Sequence, residues 1–247
     1  MTARSPEITC VIPAFEQPDL LARCLASVAA QRNVAIEIIV ADDSRDAAVR
    51  ERVATLAIPG MRHLDGARSG NPVDNWNLGL AQAQGPVCVL VHHDEFLIDP
   101  TYLRRAVDRL VDPGIAAVIG PTTVTGVDRR SRFALALRIG RAAGRPAWIL
   151  PSLNWIGPTA AFVFRKGPLF DRKLVQLVDV DFYRRVLRTG RAATLDGRCV
   201  GSLGHHAAQI TASIDGRQVA RGEIARVAKG AELSFHRAVL GLRAWTG

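Results

Sequence analysis

Val87-Cys88-Val89-Leu90-Val91-His92-His93-Asp94-Glu95 passes from five apolar residues to four that can hold a proton, a cation or a hydroxyl. The apolar part has strand length and no helical spacing. In an open α/β sheet, ligands bind beyond the carboxyl ends of the strands. A His/Asp/Glu cluster at such an end predicts a site for a metal-bound or very polar ligand. A solvated turn is the bland alternative, and the rest of the chain decides between them.

On either side the pattern alternates. Ile8 to Ala14 reads as a buried strand, and Leu20, Leu21, Cys24, Leu25 and Val28 mark an amphipathic helix behind Pro18. Ala35 to Ala41 is a second strand ending in Asp42-Asp43-Ser44. Ala47 to Leu56 reads as a helix, Met61 to Leu64 as a short strand, and Val73 to Ala83 as a helix after Gly70-Asn71-Pro72. Asp99-Pro100 is expected to cap a helix with Leu103, Val107 and Leu110 inward, and Ala116 to Ile119 forms another strand. Strands alternating with helices call for an α/β fold with a doubly wound, mostly parallel sheet. Pro13-Ala14-Phe15-Glu16 follows the first strand where a dinucleotide fold would place GxGxxG. The second half is less regular: a helix from Asp179 to Thr189, short strands punctuated by Gly190, Gly197, Gly201 and Gly204, and one long helix from Gln218 to Ala244.

The chain has 247 residues, 48% of them hydrophobic, enough for one continuous domain. Three parts are expected within it: residues 1–125 for a nucleotide ligand, 126–215 for a second substrate and the catalytic base, and 216–247 as a helical extension. The formal charge is +9, and Lys166, Lys173 and Lys229 are the only lysines, so nearly all the positive charge is arginine. Arginine binds phosphate through a planar fork, so phosphorylated ligands, an anionic membrane face and nucleic acid are the partner classes to weigh. Arg129 to Trp148 interleaves arginines with Phe133, Leu135, Leu137 and Ile139: a membrane-lying helix, a flap over the site or a solvated face. The four cysteines lack CxxC spacing and read as reduced, buried small residues. With no signal-like N-terminus and no apolar run of membrane-spanning length, a cytoplasmic protein is expected, with peripheral contact at the inner face of the membrane left open.

Several segments then fall in order: Val11-Ile12-Pro13-Ala14-Phe15, Ile39 to Ser44, Asn71 to Leu80, and Val91 to Leu97. Gly157-Pro158-Thr159 with Arg165, Val178 to Phe182 with Arg185, and His206 to Thr211 follow. Together, across roughly residues 7 to 211, they resemble the inverting glycosyltransferase family 2, which has the GT-A fold. The resemblance implies a Rossmann-like sheet, a smaller acceptor-side portion and sugar transfer from a nucleoside diphosphate, most naturally UDP- or dTDP-linked. The acceptor would be a hydroxyl on a glycan, a lipid-linked glycan or a small molecule, as in surface polysaccharide or glycolipid synthesis.

On this resemblance Asp42 or Asp43 accepts a hydrogen bond from the base, with Pro13, Phe15 and Glu16 beside it. Arg68 reaches a phosphate, and Asn71 and Asn77 face the nucleotide or sugar. His92-His93-Asp94 stands where the family has DxD. Asp94 takes the metal position, with His206 as a later ligand, and the cofactor is a divalent ion, Mn²⁺ or Mg²⁺. Imidazole at the first position favours Mn²⁺. His92, His93 and Glu95 contact the donor or support Asp94, although His93 can equally point into the sheet. Asp179 matches the catalytic base, with Val178 in place of the usual preceding Glu, and Asp181 is expected to pair with Arg184 or Arg185. Trp76 is expected in the core.

Two departures, His92 for Asp and Val178 for Glu, keep a non-catalytic glycan- or partner-binding module in play as the alternative. A nucleotidyltransferase would need a Gly-rich basic loop after the first strand, which Pro13 to Glu16 does not supply. Nucleic-acid binding rests on charge alone and ranks last. A homodimer is left open.

Overall fold

The computed structural model describes residues 5–125, 146–203 and 215–242. His206, Gln209 and Thr211, and the arginine-rich stretch up to residue 145, lie outside the described residues.

The first strand, β1 (Ile8–Ala14), is buried along its whole length. The reason is that both its faces are covered, as an apolar run in a parallel sheet requires. Side chains alternate across a strand, so Cys10 and Ile12 join one core and Val11 the other. The first core contains Leu21, Cys24, Leu25 and Val28 of helix α1 (Pro18–Ala29). The second contains Val73, Trp76 and Leu80 of helix α3 (Pro72–Ala81). Trp76 is a core residue, as expected.

The remaining elements, in chain order, are β2 (Ile36–Asp42), α2 (Ala48–Leu56), β3 (Met61–Asp65), β4 (Val87–Leu90), β5 (Glu95–Leu97) and α4 (Tyr102–Arg109). Then come β6 (Ile115–Ile119), β7 (Thr122–Thr125), β8 (Phe162–Arg165), α5 (Val178–Leu187), β9 (Arg191–Thr194), β10 (Val200–Leu203), α6 (Gly216–Val227) and α7 (Gly230–Leu242). The main sheet runs β3-β2-β1-β4-β8-β6-β9. It is parallel except for β8, which pairs antiparallel with both β4 and β6. The mostly parallel, doubly wound expectation therefore holds. A second small sheet, β5-β10-β7, stands beyond it.

Some boundaries differ from the sequence reading, each for a local reason. Asp99 does not cap the helix: its Oδ1 accepts from the amide and hydroxyl of Thr101 in a turn ahead of it, Thr101 is the N-cap, and α4 starts at Tyr102. The long C-terminal helix is two helices, separated at Gly230, whose φ of 56° is left-handed. The short strands β5, β7 and β10 have too few residues to show an alternation. Among the described residues, no helix is long and apolar enough to cross a membrane.

The close approach of α3 to the sheet depends on Gly79. A Cβ there would lie 2.3 Å from Cγ1 of the fully buried Val11. Alanine has the better helix propensity by about 1 kcal/mol, yet overpacking a core costs roughly 1–3 kcal/mol. Gly79→Ala is therefore expected to lower the melting temperature by a few degrees in thermal denaturation, whereas propensity alone predicts a rise.

Candidate active site

Three parallel strands end side by side. β1 pairs with β2 in the register Ala14↔Asp42 and with β4 in the register Val11↔Leu90. Beyond their carboxyl ends lie Phe15 and Glu16, Asp43, and the turn His92-His93-Asp94. Phe15 is 45% exposed, and the Arg45 guanidinium sits 5.7 Å from its ring centroid. Glu16, left-handed at φ 48°, donates its amide to Ser44 Oγ and pairs with Arg45 at 2.8 Å. That pairing holds its carboxyl below the usual carboxylate range.

The two aspartates after β2 have different surroundings. Asp42 is buried: Oδ1 accepts from the Ser44 amide, and Oδ2 lies 3.0 Å from His63 Nε2. With both oxygens engaged, it fixes the strand end. Asp43 is partly exposed, and its Oδ1 accepts from the amide of Arg68, another left-handed residue. Of the pair, Asp43 is the more exposed.

Asn71 and Asn77 are taken up by the protein itself. Asn71 caps α3, accepting from the Val73 amide and donating to Arg172 O. Asn77 donates to Phe170 O and accepts from Phe170 N. These bonds use one of the amide's two N–H groups and one lone pair of its oxygen. Asn75 is buried and donates to Ala41 O at 2.7 Å, tying α3 to the end of β2.

Glu95 lies beneath the same strand-end turn. It is 5% exposed, and its Oε2 accepts from His92 N, Thr159 Oγ1 and Ala160 N at 3.0, 3.1 and 3.0 Å. The carboxylate therefore braces the turn from within rather than reaching a sugar. Burial is the main cause of a pKa pushed up to about 7, with His92 drawing it the other way. His93 and Asp94 are half-buried, and the Asp94 carbonyl accepts from Leu203 N.

Opposite this turn stands Asp179, in the first turn of α5. Its Oδ1 is buried and makes no hydrogen bond, and burial raises its pKa, with His92 acting in the opposite direction. His92 Nε2 is likewise buried without a hydrogen bond. Aromatic contacts hold the two elements in place. His92 meets Trp76 edge-on at 4.8 Å, Trp76 meets Phe170 at 5.3 Å, and Phe170 stacks on Phe182 of α5 at 4.0 Å. Asp181 turns away and pairs with Arg185 at 2.7 Å, as its spacing predicts. Arg165 is structural: its guanidinium donates to the carbonyls of Leu110, Asp112 and Ile115.

The family model for glycosyl transferase family 2 matches residues 9–174. The chain belongs to this family. One relative, the uncharacterized protein MT1568 of Mycobacterium tuberculosis, is 30% identical over 199 residues, 74% of this chain and 62% of that protein. The succinoglycan biosynthesis protein ExoO of Rhizobium meliloti is 29% identical over 126 residues, 51% of this chain and 36% of its own length. The chain thus spans less than two thirds of either relative. Among solved structures, S. aureus TarS 1–349 in complex with UDP-GlcNAc superimposes with a TM-score of 0.68 at 15% identity, covering 97% of this chain and 73% of that one. The mannosyltransferase PcManGT from Pyrobaculum calidifontis, in complex with GDP-Man and Mn²⁺, gives 0.65 at 17% identity, covering 98% and 70%. The fold is GT-A.

In this family 2 chain, Thr159 and His63 escaped the sequence reading as individual residues. Gly157-Pro158-Thr159 stood out as a motif, but its contact with Glu95 spans 64 residues and has no local signature.

Glu95 gives a pH test. An acid whose folded pKa exceeds its unfolded value keeps a proton in the folded state that the unfolded chain has released. Stability is then greatest below the ordinary value of 4.5 and falls as pH rises to about 7. At ~1.4 kcal/mol per unit, this loss is on the order of 3 kcal/mol. Thermal unfolding between pH 4.5 and 7 should show it, and Glu95→Gln should flatten that slope.

Proposed function

We propose that this chain transfers a sugar from a nucleoside-diphosphate donor, UDP- or dTDP-linked, to an acceptor hydroxyl with inversion, and that Asp179 is the general base. The observation that carries the proposal is Asp179 itself: a buried carboxylate oxygen with no hydrogen bond, opposite the strand ends of a family 2 fold. Burial raises its affinity for a proton, which suits a base that must take one from an alcohol near neutral pH. Support for the donor class comes from the nucleotide-sugars named with TarS and PcManGT, and for polysaccharide synthesis from the name of ExoO.

In this reading Asp43 receives the imide N–H of the base and Arg68 faces the diphosphate. Residues 1–125 hold the donor, and residues 126–215 hold the acceptor. Among the described residues, no three His, Cys, Asp or Glu side chains converge to hold a cation by themselves. An ion at Asp94 would draw further ligands from the donor's phosphates, the usual manner for Mg²⁺ and open to Mn²⁺, with His206 as the later protein ligand. When bound, such an ion neutralises charge on the departing diphosphate. His92, edge-on to Trp76, keeps its imidazole beside Asp179 and modulates the base. One reaction step follows: Asp179 accepts the hydroxyl proton as the acceptor oxygen attacks the anomeric carbon from the face opposite the diphosphate, and the anomeric configuration inverts.

Asp179→Asn is expected to lower kcat by roughly 10²–10⁴ while leaving nucleotide binding by calorimetry intact. Asp94→Ala should weaken that binding and its dependence on added Mn²⁺. The acid limb of kcat/KM should lie above the ordinary carboxylate range, and NMR of the product should show the inverted anomer. Nucleotide binding with no transfer to any hydroxyl acceptor would instead support the glycan-binding module.

A further inference from the structure

The helix that carries Asp179 has a second charged face. Arg184, Arg185 and Arg188 follow Asp179 by five, six and nine residues. At about 100° per residue they lie roughly 140°, 240° and 180° around the helix from it. They therefore point away from the reaction centre. On that far side they line a cavity of about 470 Å³ together with Arg226 and Lys229, from the end of α6 and the turn into α7.

Three acids also line the cavity, and their commitments matter. Glu232 pairs with Arg184, and Asp181 pairs with Arg185. Asp171 Oδ1 accepts from the Lys173 amide. Arg184 is buried, and its other donor goes to Val227 O, closing the end of α6. Arg188, Arg226 and Lys229 are exposed, and no ion pair to them occurs among the described residues. Five cations against three acids leave the lining with an excess of positive charge. Its effect reaches Arg184, whose pKa is lowered first by burial and also by the neighbouring Arg188.

Cations in the last turn of a helix commonly complement the partial negative charge there. That role is already filled at α6 by Arg184, and it does not require cations from three elements to converge on one concavity. Nor does Arg185 Nη2, buried without a hydrogen bond. We propose that this cavity on the back of α5 binds a phosphate group, either the headgroup of an anionic lipid or a soluble phosphorylated molecule. The guanidinium fork matches the phosphate oxygens, and the volume leaves room for the alcohol that the phosphate esterifies. The site is separate from the transfer reaction and stands whether or not Asp179 is the base.

The test compares wild type, Asp94→Ala and Arg188→Ala/Arg226→Ala. The two arginines of the last variant are exposed and form no ion pair among the described residues, and circular dichroism checks its fold. Lys229→Ala serves as an independent single variant. Inorganic phosphate, against chloride at matched ionic strength, should raise the melting temperature of wild type and Asp94→Ala, and this rise should vanish in Arg188→Ala/Arg226→Ala. Co-sedimentation with phosphatidylglycerol vesicles, against phosphatidylcholine, identifies the source. A lipid headgroup predicts binding that weakens about fivefold for each cation removed, or about 30-fold in the double variant. A phosphate shift without vesicle binding assigns the soluble ligand. The proposal is overturned if neither probe binds wild type, or if whatever binds is unchanged in the double and Lys229 variants.

Discussion

One buried carboxylate oxygen holds the two halves of the site together. Glu95 Oε2 receives the main-chain amides of His92 and Ala160 and the hydroxyl of Thr159. The first donor belongs to the turn after β4, and the other two precede β8. Since β8 is the strand inserted antiparallel between β4 and β6, these bonds set how the second half of the chain lies on the first. From β8 the chain runs through Phe170 to α5, and therefore to Asp179. A removed carboxylate would leave two buried amides without acceptors, at roughly 1–3 kcal/mol each. The same burial makes the brace titratable near neutral pH.

The aromatic stack extends this brace. Phe170 is held twice: its main chain by the Asn77 amide, and its ring between Trp76 and Phe182. The ring contacts carry position from α3 to α5, and the edge contact of Trp76 with His92 brings that position back to the strand end. Asn77 and Glu95 both hydrogen-bond the protein's own main chain through their side chains. Polar residues near a ligand site are often spent on shaping it, and a motif match cannot separate the two roles.

The sequence made the first half legible because each strand there is buried on both faces and each helix on one, so apolar periodicity carries the signal. β1, α1, β2 and α3 lie within a residue or two of where the pattern puts them. What stayed hidden was long-range or short. The antiparallel insertion of β8 is a pairing choice that no local pattern encodes. β5, β7 and β10 are three or four residues long, below the length at which alternation is visible. Of the candidate site residues, the placement of Asp179 and the His92-His93-Asp94 turn at element ends was legible. The split between Asp42 and Asp43 was not, because it turns on His63, 21 residues further on.

Helix α5 shows how one short element serves two environments. Its apolar residues Val178, Val180, Phe182 and Val186 fill the core, leaving two polar edges. One edge carries Asp179, whose Oδ1 is buried without a hydrogen bond, an arrangement that costs stability. The other carries Asp181, Arg184, Arg185 and Arg188, where ion pairs absorb part of the charge and the rest is left open. A helix needing only solubility would mix signs along its outer face. Here the residue beyond the ion pairs is the cation Arg188, and it is joined by Arg226 and Lys229 from a different part of the chain. Convergence from separate elements is harder to attribute to an arginine-rich composition than a run along one helix would be, because composition sets how many cations there are and the fold sets where they meet.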